Sequence, residues 1–446
     1  MKKVLVIGGG LAGLSAAAYL VKNKFDVTLL EASPKLGGRV YSFFDEKTNT
    51  EIDNGQHILM GCYSDTLSLL KMTNAYQYFH IATDRKNQNR LVIHYLDRNK
   101  KEFLLQSSDL PYPFNLLSAL LSFNAFSVND KLSMIKFFLK IKFIDSEKLW
   151  DLNVKQWLKN ENQSDNVIKT FWEIISIGAL NTSTEKASAK IFCDILEEIF
   201  WKGKTSSLII LPSLPLSKSF IEPIYNYLIQ NNCKVHLSEK CISLEINNNQ
   251  IDKVITTSAN SSKQNVYDNF DFVVSAVPFF ALRKLLDKNY LSIQSEFNYS
   301  SILNIHLWLT QDATKKFSFI NKEFYAFNNS ELHWLFNKKT HWNIVISNAD
   351  KFMEMPKEKI FSFVLDELKS FIPIRQDDIL EYKIIKEKKA TFIPDKKTLR
   401  NRPATKTKLK NLFLAGDWID TKLPATIESA VKSGRLAAEK IIFNHN

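Results

Sequence analysis

Apolar and polar positions along the chain change period several times. The N-terminus opens on an apolar strand at Lys3–Ile7, followed by a glycine turn, a helical stripe over Leu11–Asn23 and a second strand at Asp26–Leu30. That order is a βαβ beginning. From 66 to 204 glycines are few and apolar residues recur at helical spacing, as in "DKLSMIKFFLKIKFI", so this block is expected to be mostly helical. Around 208–290 the period shortens to two. "CKVHLSEKCISLEI" alternates like a strand, Asn248–Asn249 marks a turn, and "NFDFVVSAVP" reads as a buried strand stopped by Pro278. Between 295 and 395 alternating segments ("SILNIHLWLT", "HWNIVISNA") flank a helical stretch at 357–371, and the chain closes with a strand, "NLFLAGDW", and a helix, "PATIESAVKSGRLAAEKII". Nucleotide-type segments thus stand at the start, middle and end. The expected fold class is α/β, with a discontinuous nucleotide-binding domain (1–65, 205–290, 396–446) interwoven with a mixed α+β domain (66–204, 291–395).

Composition narrows the class. At 446 residues the chain is too long for one ordinary core, and 45% hydrophobic with 24% charged residues describes a soluble globular enzyme. No stretch reaches the roughly 20 apolar residues of a membrane span. Cys62, Cys193, Cys233 and Cys241 form no CxxC and no metal-ligand spacing, which points to reduced thiols in a cytoplasmic protein without a metal site. The net charge of +12 comes from dispersed lysines. With no reader motif, nucleic acid is disfavoured as a partner, and the charge marks either an anionic membrane surface or a solvated exterior.

The chemistry begins at "VLVIGGGLAGLSAA". Gly8, Gly10 and Gly13 stand in G-x-G-x-x-G register between a strand and a helix. Gly8 permits the tight turn, Gly10 lets the first-turn amides at Leu11 and Ala12 approach a pyrophosphate, and Gly13 lets helix and strand pack closely. Glu31 ends the second strand, where a carboxylate accepts from a ribose 2′-OH and repels a 2′-phosphate. This is the Rossmann fingerprint, and it serves FAD and NAD alike.

"EASPKLGGRVYSF" separates the two. Its Gly37–Gly38–Arg39 segment resembles the extended signature of the FAD-dependent amine oxidase and phytoene desaturase superfamily. The resemblance implies FAD as cofactor, with Gly37, Gly38 and Arg39 along the phosphates and flavin. It also implies that Gly416 and Asp417 of "LFLAGDW" hold ribityl or phosphate hydroxyls. Pro424, Ala425, Thr426 and Ile427 would start a helix whose positive end faces flavin N1 and O2. Cys241 falls where the superfamily caps the adenine with a strand backbone, though a plain strand position fits it as well. "DNGQHILMGCY" would run past the isoalloxazine ring, with Asn54 and Gly55 supporting the turn and Gln56 and His57 offering donors near the reacting carbon.

"NGQHILMGCY", "LPSLPLSKSF", "KATFIP", "NRP" and "LAGDWIDTKLPATIESAVKSG" together are similar to the hydroxysqualene dehydroxylase family, from end to end but only in general character over 70–200. That family more often has glycine where this chain has Lys422 and Ser429. The resemblance implies reduction of hydroxysqualene, a C30 isoprenoid alcohol, to squalene by reduced FAD, in bacterial squalene and hopanoid synthesis. The electron donor that regenerates reduced FAD is left unnamed. A donor is needed at the leaving oxygen: His57 is the first candidate and Asp420 the second, with Gln56 beside them. An amine oxidase, protoporphyrinogen oxidase or carotenoid desaturase of the same fold is the alternative activity, and an FAD-holding lipid-binding partner subunit the alternative of another kind. Cys62 reads as a small buried apolar residue. Residues 112–144 combine apolar runs with Lys131, Lys136, Lys140 and Lys142, which suits either two core helices or a surface lying peripherally on the inner face of the cell membrane.

Overall fold

The computed structural model describes residues 1–83, 89–98, 101–258, 264–291 and 296–443. A five-stranded parallel sheet is assembled from distant parts of the chain, in the order Lys234–His236, Asp26–Leu30, Lys3–Ile7, Phe272–Ser275 and Leu412–Leu414. Its strands are apolar on both faces because both faces are covered. Val4 and Val6 pack under the helices Leu11–Lys22 and Ile427–Phe443. Leu5 and Ile7 pack under an antiparallel three-stranded sheet, Glu239–Asn247, Gln250–Ser258 and Gln264–Tyr267. The first two of those strands join through Asn248 and Asn249, both left-handed (φ +50° and +59°), as a tight hairpin requires.

A seven-stranded sheet forms the second body, in the order Ile379–Phe392, Tyr299–Leu309, Trp342–Ser347, Trp334–Asn337, Phe324–Phe327, Val92–Leu96 and Glu102–Gln106. Along Tyr299–Leu309 the side chains alternate. Leu303, Ile305 and Leu307 join the core under the helix Lys357–Lys369, while Asn304, His306 and Trp308 occupy the opposite face. Helices from Phe114 to Trp201 build an aromatic core with Phe123, Phe137, Trp157, Trp172 and Phe192, closed by Phe324, Phe336 and Val345 of the sheet.

The block from 66 to 204 is helical from Phe114 onward, but the sequence reading missed three strands before it, Phe79–Ile81, Val92–Leu96 and Glu102–Gln106. Val92–Leu96 and Glu102–Gln106 form a local antiparallel pair, and distant partners tie the three strands into the fold. Val92–Leu96 pairs in parallel with Phe324–Phe327, and Phe79–Ile81 pairs with Ile209–Pro212.

Candidate active site

Two glycine runs meet at the end of the first strand. Gly8 has φ +109°, and a Cβ there would lie 2.9 Å from the Ala276 carbonyl oxygen. Gly37 N–H donates to the Gly9 carbonyl at 2.8 Å, and a Cβ on Gly38 (φ +60°) would lie 3.2 Å from Gly10 Cα. Side chains would fill the cradle between these runs. Gly10 starts the helix Leu11–Lys22 with no side-chain cap, and the amide of Leu14 is the one bonded back to the Gly10 carbonyl. The amides of Leu11, Ala12 and Gly13 therefore form the open, positive end of the helix. Gly13 has no room for a side chain, since its Cβ would meet Gly8 O at 1.9 Å.

Glu31 is fixed beside this cradle. Its carboxylate accepts from Gly9 N at 2.6 Å and Ser33 N at 2.7 Å. The strand carrying Cys241 starts against it, with Glu239 N–H donating to the Glu31 carbonyl at 2.8 Å. Cys241 lies two residues on, opposite Thr256 and at a bulge.

Arg39 links the two ends of the chain. Its Nη2 pairs with Asp417 Oδ1 at 2.7 Å, and Nη1 donates to the Ala390 carbonyl. The Asp417 charge raises the guanidinium above its ordinary value, so Arg39 is a fixed cation. Asn54 braces it from below: Nδ2 donates to the Arg39 carbonyl at 2.8 Å, and Oδ1 accepts from Tyr41 N at 3.2 Å. His57 Nε2 lies 3.3 Å from that same carbonyl. Burial lowers the His57 pKa, which keeps the ring neutral and makes Nε2–H a hydrogen-bond donor. Gln56 leaves Oε1 buried without a partner, and Gly55 is so close to Asn304 that a Cβ would lie 3.0 Å from Nδ2. Ile58, Met60 and Cys62 continue the segment into the aromatic core, and burial pushes the Cys62 thiol up to about 12. That thiol is an apolar wall, not a nucleophile.

The C-terminal part converges on the same place. Gly416 has φ +143° and donates to Ser433 Oγ at 2.7 Å. Pro424, Ala425 and Thr426 lead into the closing helix at Ile427; Thr426 Oγ1 accepts from Ser429 N at 3.2 Å. Glu428 points away to cap the helix Ser64–Met72, accepting from Asp65 N and Thr66 N, both at 2.8 Å. Ser429, where the similar family favours glycine, bonds the Asp417 carbonyl (3.2 Å) and Thr421 Oγ1 (2.7 Å). Lys422 has φ +64°, a conformation that suits glycine. Asp420 stands apart from His57 in its contacts, because its carboxylate pairs with Lys422 Nζ at 2.8 Å.

Sequence reasoning assigned nothing to Arg402, the buried arginine of "NRP". Its guanidinium donates to the carbonyls of Leu423 (2.6 Å), Asp417 (3.1 Å) and Ile419, and so shapes the loop from Asp417 to Leu423. Its only sequence signal was the short "NRP" string itself.

The donor set fits FAD. A side-chain-free cradle with open amides suits a pyrophosphate, Glu31 suits a ribose, and a second helix start suits a flavin pyrimidine edge. The chain matches the family of flavin containing amine oxidoreductases over residues 11–442. It is 27% identical over 439 residues to a hydroxysqualene dehydroxylase of Zymomonas mobilis, covering 97% of each chain. It is 26% identical to that of Sinorhizobium fredii, covering 100% of this chain and 99% of the relative. In three dimensions it is similar to an oxidoreductase from Methanosarcina mazei, with a TM-score of 0.72 and 16% identity over 98% of this chain and 100% of that one. The chain belongs to the flavin-containing amine oxidoreductase family and is an FAD-dependent oxidoreductase.

Proposed function

We propose that the protein reduces hydroxysqualene to squalene. The observation that carries this reading is the polar pair Gln56–His57, set between the Arg39–Asp417 group and a wall of Ile58, Met60 and Cys62 that merges with the aromatic core. Such a site suits a long hydrocarbon with one polar group. The end-to-end similarity to two hydroxysqualene dehydroxylases supports the same substrate.

In this reading Gly8, Gly10, Leu11, Ala12, Gly13, Gly37 and Gly38 hold the pyrophosphate, Glu31 a ribose, and Cys241 the adenine side. Arg39, Asn54, Gly55, Gly416, Asp417, Ala425, Thr426 and Ile427 hold the flavin half. Bound FAD, once reduced, would supply a hydride to the carbon that loses the hydroxyl, and the departing oxygen would need one proton to leave as water. Neutral His57, with Nε2–H turned to the Arg39 carbonyl, would accept from the substrate hydroxyl at Nδ1 and Gln56 would position it through its amide, while Asp420, paired with Lys422, is the weaker candidate.

The substrate's hydrophobicity suits a membrane-facing surface. Leu110, Phe114, Leu121, Val128, Leu132 and Phe143 expose half or more of their area, near exposed Lys136 and Lys142. Among the described residues no helix is long and apolar enough to cross a membrane. A peripheral site on an anionic leaflet matches that patch. The test is product analysis: FAD-loaded protein, a chemical reductant and hydroxysqualene should yield squalene. Intact hydroxysqualene, together with oxidation of an amine, a porphyrinogen or a carotene under oxidising conditions, would replace this reading with the alternative.

A further inference from the structure

Both hydrogen-bonded directions of the sheet lead to an unused histidine pair. His306 Nδ1 lies 3.0 Å from His341 Nε2, and His341 Nδ1 lies 3.0 Å from the hydroxyl of exposed Thr340. Both imidazoles are buried. Trp308 stacks on His341 at 4.9 Å and holds its ring in place. At the inner end His306 Nε2 has no hydrogen-bond partner of ordinary geometry, although the Asp53 carbonyl is near enough to favour its protonation.

The same face of the sheet carries further polar side chains. His306 is paired across the sheet with Asn343, and Asn304 lies two residues along the same face. Both side-chain polar atoms of Asn343, Asn304 Oδ1 and Gln56 Oε1 are also buried without partners. Asn304 rests on Gly55, next to Gln56 and His57. Buried polar atoms in native proteins are paired, by protein groups or by ordered water. Asn304, two residues from His306 and against Gly55, thus links the histidine pair to the segment that faces the flavin, with Asn343 across from His306 and Gln56 next to Gly55.

We propose that Thr340, His341 and His306 form the route by which a proton from solvent reaches the reducing centre at Gly55–His57. An imidazole accepts a proton at one nitrogen and releases one from the other, so two rings in series carry it through the sheet. The charges around the pair are Lys338, Lys383 and Asp53, with Lys338 Nζ 3.4 Å from Asp53 Oδ2. Burial pushes His306 down to about 3 and His341 down to about 4. At neutral pH such rings are charged only about once in 10³ to 10⁴, so the pair passes a proton and does not store one. The route also resolves a chemical shortfall: neutral His57 can orient a leaving oxygen, but the reaction consumes a proton. The proposal rests on the bound flavin and not on the identity of the substrate.

The test is made without substrate, so its failure is distinct from failure of the dehydroxylation reading. FAD-loaded protein in weak buffer is reduced anaerobically with reduced methyl viologen, which donates electrons without protons. A pH indicator reports proton uptake while absorbance reports flavin reduction. In the wild type, uptake should keep pace with reduction. His306→Ala and His341→Ala should each delay it by roughly 10²-fold, a typical contribution of a positioned proton-transfer group. Added imidazole should restore the rate in His306→Ala. His341→Ala changes the hairpin rather than the sheet interior, and His306→Gln serves if the alanine variant loses FAD. Wild-type uptake in either FAD-loaded variant, or a delay that imidazole leaves unchanged, would overturn the proposal.

Discussion

Arg402→Met keeps the aliphatic stem and removes a guanidinium that is 7% exposed. Three hydrogen bonds dominate, to the carbonyls of Leu423, Asp417 and Ile419. Bonds from a charged donor contribute about 1.5–3 kcal/mol each, so together they amount to roughly 6 kcal/mol. Burial opposes them. It pushes the guanidinium down to about 10 from 12.5, and at about 1.4 kcal/mol per unit that offsets about 3 kcal/mol. The Asp417 carbonyl keeps Ser429 Oγ and the Ile419 carbonyl keeps the Thr421 amide, whereas Leu423 loses its donor. The expected net loss is about 3 kcal/mol, concentrated in the loop that carries Asp417 to Arg39. Expressed as affinity, a loop that must be re-formed at that cost weakens FAD binding on the order of 10²-fold. The assay is titration of apoprotein with FAD by flavin-fluorescence quenching, with limited proteolysis to locate the opened segment. Wild-type affinity with an unchanged cleavage pattern would refute the reasoning.

Other expectations follow from single positions. Lys422→Gly relieves a left-handed residue (φ +64°) whose side chain is 76% exposed, and thermal melting should show a gain of up to about 1 kcal/mol; a clear loss would show that the Asp420 pair matters more than the backbone. Burial raises the Glu428 carboxyl, so its contribution is greatest below the ordinary carboxylate value of about 4.3 and fades as pH rises through the folded value. The melting difference between wild type and Glu428→Gln should therefore shift against the wild type as pH rises, and the opposite trend would contradict it. His57→Ala should retain FAD while slowing dehydroxylation roughly 10²-fold, with partial recovery in His57→Gln; unchanged turnover would remove His57 from the chemistry. Leu132→Asp with Phe143→Asp should abolish co-sedimentation with anionic vesicles at low salt, and a wild type that stays in the supernatant would dismiss the membrane surface.

The convergence of the two glycine runs, Glu31 and the Arg39–Asp417 pair was legible because their residue types are forced. Gly13 and Gly38 stand where backbone atoms leave no space, and Glu31 and Asp417 end strands whose apolar runs are unmistakable. The hairpin at Asn248–Asn249 was legible for the same reason, since few residues accept its left-handed turn. Arg402 was not legible. Its acceptors are main-chain carbonyls 15 to 21 residues away, which no side-chain pattern announces. Asn304 and His306 alternate properly with Leu303, Ile305 and Leu307, and that period reveals a strand without revealing that its polar side is buried against Gly55. The strand Phe79–Ile81 depends on a partner more than a hundred residues distant, and Val92–Leu96 joins its sheet through Phe324–Phe327, so local helix-like spacing outweighed them.

Reduction of hydroxysqualene by the bound flavin is tested most directly by anaerobic reoxidation. The FAD-loaded protein is reduced without excess reductant, hydroxysqualene is added, and flavin absorbance is followed alongside extracted lipid. The expected result is return of the oxidised flavin with stoichiometric squalene. A flavin that stays reduced while hydroxysqualene is recovered intact would contradict the account.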